Sequence, residues 1–251
     1  MTRRLQRDEL RRHREELRER RQKSREHRRE FRRMGTRGQP EESRAAILKA
    51  ASREFAELGI AGARTDAIAR EARVNKALLY YYFKDKETLY SAVLDEAFAG
   101  LKKTVFGVLD SDLAPRDKIM AYVGAYFDFV AANQMYPRLM QREMMRARDN
   151  PSPHLDRIIK QYFQPIFVKV GEVLRKGIAD GEFRPIHPAH FVPSMVAMIV
   201  FYFSGAPVMQ RVVGFNPLTP ERIAERRAAV LDFISAALFR PKNAATQGVR
   251  S

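Results

Sequence analysis

The stretch from Thr65 to Tyr90, TDAIAREARVNKALLYYYFKDKETLY, decides the fold. Thr65 can cap a helix whose first turn carries Asp66, the charge sign that the helix dipole favours there, and whose inner face is Ile68, Ala69 and Ala72. That helix is only two turns long. Arg73, Val74 and Asn75 then break it: Val74 is placed to plug the space between helices, and Asn75 has the side chain of an N-cap for a helix over 76–83. Two short helices joined by a tight turn spell a helix-turn-helix. In the later helix Leu78, Leu79, Tyr82 and Phe83 fall at i, i+1, i+4 and i+5 and can face inward, which leaves Lys76, Ala77, Tyr80, Tyr81 and Lys84 outward. This outward set suits double-stranded DNA. The small Ala77 permits close approach to the major groove, the tyrosine hydroxyls can reach phosphates or base edges, and Lys76 adds charge. The competing reading has the aromatics simply packing, but a purely structural helix gains little by exposing Tyr80 beside Tyr81. Asp85 caps the next helix and sets Lys86 at its N-terminus, where backbone N–H groups also attract phosphate.

Upstream, Ile47, Ala50, Ala51, Phe55 and Leu58 recur at helical spacing, and Gly59 is expected to end that helix before a loop over 60–64. With this helix the DNA-binding domain covers 41–88. On these residues the chain resembles the TetR family of bacterial transcriptional repressors over roughly 43–110, with Thr65, Ile68, Ala69, Ala72, Val74, Leu79, Tyr80, Phe83, Lys86 and Leu89 in the family's places. It departs at Arg73, where the family usually has Gly, and at Ala77, where it has Gly or another small residue; Arg73 must then adopt a left-handed conformation or shift the turn, and its side chain can touch DNA. The resemblance implies an all-α homodimer on a palindromic operator. It also implies that Thr65, Tyr80, Tyr82 and Lys86 contact phosphates while Lys76, Ala77 and Tyr81 lie nearest the bases. Asn75 and Lys84 complete the expected DNA-facing set.

Beyond residue 110 the pattern stays helical, with breaks at 112–115, 136–137, 150–153, 180–181, 185–188 and 214–220. Five further helices, over about 116–134, 138–148, 154–179, 189–206 and 221–239, bring the total to about nine, in a ligand-binding and dimerisation domain over 89–240 followed by a flexible tail over 241–251. The resemblance implies that the last two pair with their copies as a four-helix bundle. The apolar 194–206 stretch and Ile223, Val230, Leu231, Phe233, Ile234 and Leu238 fit that role. It further implies a small-molecule site among the middle helices. Tyr122, Tyr126, Met140, Met144, Phe163 and Phe167 supply the adaptable apolar lining for an unidentified, largely apolar effector, against the plainer reading that they are core; Asn133, Gln141 and Arg142 are the polar candidates beside them.

Charge and composition bound the rest. The 251 residues carry a formal net charge of +16, and residues 1–39 hold 16 Lys and Arg against 7 Asp and Glu, so the basicity is concentrated in an N-terminal arm over 1–40. Too poor in apolar residues to order itself, that arm reads either as a solvated, partly helical tail or as a nucleic-acid contact, and its strong preference for Arg suits phosphate. An arm-driven, constitutive DNA- or RNA-binding protein of nucleoid type, without ligand control, is the alternative function. There is no cysteine, no continuous apolar run near the N-terminus, and no phosphate loop or nucleophile motif. The chain reads as cytoplasmic, with no membrane span, cofactor, metal or enzymatic activity. The uncharged run over 185–210 is cut by Pro193 and Pro207 to 13 residues, against the roughly 20 that a bilayer needs. His187 and His190 lack acidic company and read as a helix start rather than a metal site.

Overall fold

A computed structural model describes residues 40–149 and 152–240. The expected arm and tail, over 1–39 and 241–251, lie outside the described residues. Among the described residues there are ten helices and no strand, only an isolated bridge between Phe183 and Phe239. They are α1 (Pro40–Gly62), α2 (Thr65–Glu71), α3 (Lys76–Tyr82), α4 (Lys86–Leu109), α5 (Pro115–Ala132), α6 (Met135–Asp149), α7 in two stretches (Pro153–Ile158 and Gln164–Ala179), α8 (Pro188–Ser204), α9 (Ala206–Val213) and α10 (Pro220–Leu238). The first three helices form the head. The long α4 leaves it, packs back on α1 and runs along α5, and α6 and α7 close round α4.

Several breaks fall where Gly, Asp and Pro put them, and four do not. Gly59 does take the glycine-only conformation, φ 67° and ψ 176°, but the chain resumes a helical turn to Gly62 instead of leaving the helix. The break expected at Tyr136-Pro137 lies earlier: α6 starts at Met135, with Pro137 in its first turn, where a missing N–H costs nothing. Pro193 sits inside α8 without ending it, so the helix starts at Pro188 and runs 17 residues. At its other end, close to where the helix expected over 189–206 stops, Gly205 turns the chain by 70° into a separate α9 that the sequence reading did not include. No single helix among the described residues is long and apolar enough to cross a membrane.

A further departure is a π turn, Ile159–Phe163, joining the two stretches of α7. Pro165 explains it. Proline has no N–H for the carbonyl of Gln161 and its ring crowds that carbonyl, so the helix widens by one residue, and the Lys102 ammonium takes up the freed oxygen at 3.1 Å.

Candidate nucleic-acid interface and interior cavity

Apolar anchoring sets how α3 stands. Leu79 and Phe83 are buried in one core with Ile47, Ile68 and Ala69 of α1 and α2, and Leu78 beside them is buried too. Val74 packs on the same core, and Asn75 accepts the Leu78 N–H at 2.7 Å, closing the start of α3 as its sequence suggests. Arg73 holds φ +55°, the left-handed conformation that its place in the turn requires. With that face fixed, Lys76, Ala77, Tyr80, Tyr81 and Lys84 are exposed together, Tyr80 by 42% and Tyr81 by 52%.

Their polar groups are only partly committed. Lys76 pairs with Asp66 at 2.8 Å, and the hydrogen bond between them holds the Asp66 carboxyl below the usual carboxylate range and lifts Lys76 in return. Both partners are well exposed, so a phosphate can displace Asp66 with little loss. The Tyr80 hydroxyl lies 3.3 Å from that of Thr65, which sets two of the expected phosphate contacts side by side. The edge of the Tyr81 ring meets Tyr82, 5.3 Å between centroids. The Tyr82 hydroxyl donates to the Pro40 carbonyl, and burial raises its pKa. Lys86 turns back to the carbonyls of Ala61 and Ala63, leaving at least one of its three N–H groups for another acceptor. Asp85 caps α4 as expected, accepting the Thr88 N–H. Thr65, however, is no cap: α2 is preceded by Arg64, without a side-chain cap bond, and the Arg64 N–H goes to Glu54 instead.

Head and body are joined by groups that sequence reasoning missed. Glu143 on α6 is fully buried, accepting from the Tyr90 hydroxyl at 2.9 Å and the Ser152 hydroxyl at 2.7 Å. Burial and the Glu143 charge both push the Tyr90 phenol far upward, while its ring stands edge-on to Phe55 of α1. A buried carboxylate needs such a full set of donors. Its neighbour Arg142, expected near a ligand, instead donates to the carbonyls of Ala56 and Glu57, just before the Gly59 kink. Asn133 lies in a different cleft, with Lys49 and Arg53, and Gln141 is exposed at neither site.

The six apolar candidates do come together. Tyr122, Tyr126, Met140, Met144, Phe163 and Phe167 all border one cavity of about 700 Å³ between α4, α5, α6, α7 and α8, a volume ordinary for small-molecule sites. Sequence reading missed its far wall, Val192, Val196 and Val200, one face of the helix expected to serve only dimerisation; their i, i+4, i+8 spacing was the available signal. His187 closes the start of α8, its Nδ1 accepting the Ala189 N–H. No group of three or more His, Cys, Asp or Glu suited to a metal occurs among the described residues.

Residues 47–93 match the family described as bacterial regulatory proteins, tetR family, and residues 115–234 match the tetracyclin repressor-like C-terminal domain. The chain belongs to the TetR family. It is 30% identical to the HTH-type transcriptional regulator RutR of Escherichia coli over 173 residues, 67% of this chain and 77% of RutR. To the HTH-type transcriptional repressor SCO4008 of Streptomyces coelicolor it is 38% identical over 115 residues, 46% of this chain and 56% of that one. A crystal structure of AibR in complex with isovaleryl coenzyme A and operator DNA shares the fold, with a TM-score of 0.62 over 76% of this chain and 97% of AibR at 17% identity. TetR-family membership makes the chain a regulator rather than an enzyme.

Within the TetR family Arg73 is the costly departure, since a left-handed conformation costs a residue with a Cβ roughly 1–2 kcal/mol. Arg73→Gly removes that strain but returns backbone entropy to the unfolded chain, so it is expected to leave stability unchanged or raise it by about 1 kcal/mol, whereas Arg73→Ala gives no gain. Urea denaturation of the two variants checks this, and a clear loss in the glycine variant would contradict it.

Proposed function

We propose that the protein is a homodimeric, cytoplasmic repressor that binds a palindromic operator and leaves it when a small, largely apolar molecule enters the cavity. The exposed face of α3 is the observation that carries this. Lys76, Ala77 and Tyr81 would lie nearest the bases, Thr65, Tyr80, Tyr82 and Lys86 on the phosphates, with Arg73, Asn75 and Lys84 at the edges. AibR, which shares the fold, is described in complex with isovaleryl coenzyme A and operator DNA, and the relative SCO4008 is named a repressor, so operator binding, a small-molecule ligand and repression each have a precedent among such proteins.

A second copy accounts for the apolar surface at the other end. Phe201 is 71% exposed, Val208 62%, Val212 74% and Phe233 60%, on α8, α9 and α10. Val230, Ile234 and Leu238, expected at the same interface, are instead buried in the chain's own core. Large exposed apolar groups gathered on neighbouring helices mark an interface.

Control would run through α6, which meets the cavity with Met140 and Met144 and the head with Arg142 and Glu143. A ligand that favours one position of α6 would change the separation of the two heads, by no more than its differential affinity for the two states. The arm, with a net charge of +9 from sequence, would add affinity for any duplex.

Tyr81→Ala is expected to cost on the order of 1–3 kcal/mol at an operator selected from random DNA and little on unrelated duplex; an equal loss on both would reassign Tyr81 to the phosphates. Phe201→Glu combined with Phe233→Glu is expected to turn the dimer into a monomer in sedimentation while helix content is kept. A dimer that survives both charges would place the interface elsewhere.

A further inference from the structure

The cavity's polar groups are arranged opposite to what a fatty acid or any acyl anion needs. Among its described lining residues none is charged, and the polar ones are Tyr122, Tyr126, Tyr136 and Gln164. The three tyrosines are at most 4% exposed, at the closed end, where burial pushes all three phenols up and keeps them neutral donors. The rim is hydrocarbon: Met144 and Val168 are more than half exposed, Ile159 and Phe167 more than a third, with the neutral amide of Gln164 beside them. A carboxylate driven to the closed end would meet no cation, a cost that buried charges avoid only by pairing or by taking up a proton. Four basic groups on the surrounding helices are engaged elsewhere: Arg142 on the α1 carbonyls, Arg157 on Asp95, Lys169 on Asp110 and Lys102 on the Gln161 carbonyl.

The tyrosine end also offers a hydrogen-bond donor for one ligand oxygen. The Tyr126 and Tyr136 hydroxyls share one hydrogen bond at 3.3 Å, in which either can donate, whereas the Tyr122 hydroxyl makes no hydrogen bond to any of the described residues. A hydroxyl that faces the cavity without a protein partner is open to a ligand oxygen, and a hydrogen bond formed there away from bulk water adds directly to affinity. We propose that the cavity takes a neutral, mostly hydrocarbon molecule bearing a ketone, ester or hydroxyl oxygen, which enters oxygen first and pairs with Tyr122 while its hydrocarbon end lies at the rim. The inference rests on reading this cavity as the effector site.

The test compares 2-undecanone with undecanoate at pH 8 by isothermal calorimetry on the full-length protein and on Tyr122→Phe, which keeps the ring and so the packing, with melting curves to confirm the fold. The ketone is expected to bind at least about tenfold more tightly than the carboxylate, and the Phe variant to lose about tenfold for the ketone, the size of one hydrogen bond. Equal or tighter binding of undecanoate would overturn the neutral class while leaving the effector reading intact. Unchanged ketone affinity in the Phe variant would overturn the placement of the oxygen at Tyr122. If neither compound binds, the effector reading of the cavity falls and this inference with it.

Discussion

Burial of Leu79 and Phe83 in the core that holds Ile47, Ile68 and Ala69, with Leu78 covered as well, is the constraint on which the rest depends. A seven-residue helix has almost no stability of its own, so α3 exists because that face is covered. Once it is covered, helical geometry decides the remaining face, and Lys76, Ala77, Tyr80 and Tyr81 have nowhere to go but outward. The strain accepted at Arg73 and the cap supplied by Asn75 serve the same end, setting the angle at which α3 leaves the turn.

A rigid reading head becomes a regulator only if something moves it, and the head rests on α6. Three consecutive concerns meet within five residues of that helix: Met140 and Met144 at the cavity, Arg142 on the end of α1, and Glu143 buried under Tyr90. A fully buried carboxylate does not slide without breaking hydrogen bonds, so α6 is suited to a small number of discrete positions rather than a continuum. The π turn of α7 works in the same region, since it carries Ile159 and Phe163 to the cavity wall.

The head was legible in the sequence because most of what determines it is close along the chain: Asn75 caps three residues on, Asp85 likewise, and the inward row of α3 meets helices that begin within 40 residues. The six cavity residues were legible as a class, aromatic and methionine at helical spacing, and it was the family resemblance that pointed to a shared site, since the spacing alone equally fits plain core. What escaped depends on partners far along the chain. Glu143 reads as an ordinary helix-surface acid until Tyr90 and Ser152 are seen around it, and Pro193 reads as a breaker because local propensity knows nothing of the packing within which α8 continues through it. Arg142 looked like a ligand group for the same reason; its acceptors lie 86 residues away.

The central claim is that α3 enters the major groove in two copies. Methylation interference at guanine N7, an atom that only the major groove exposes, tests it on an operator selected by the protein itself. Two clusters of interference are expected, related by a two-fold axis and centred one helical turn apart, about 34–36 Å, or a small multiple of that. Interference at a single site, or uniform backbone protection with none at N7, would contradict the account.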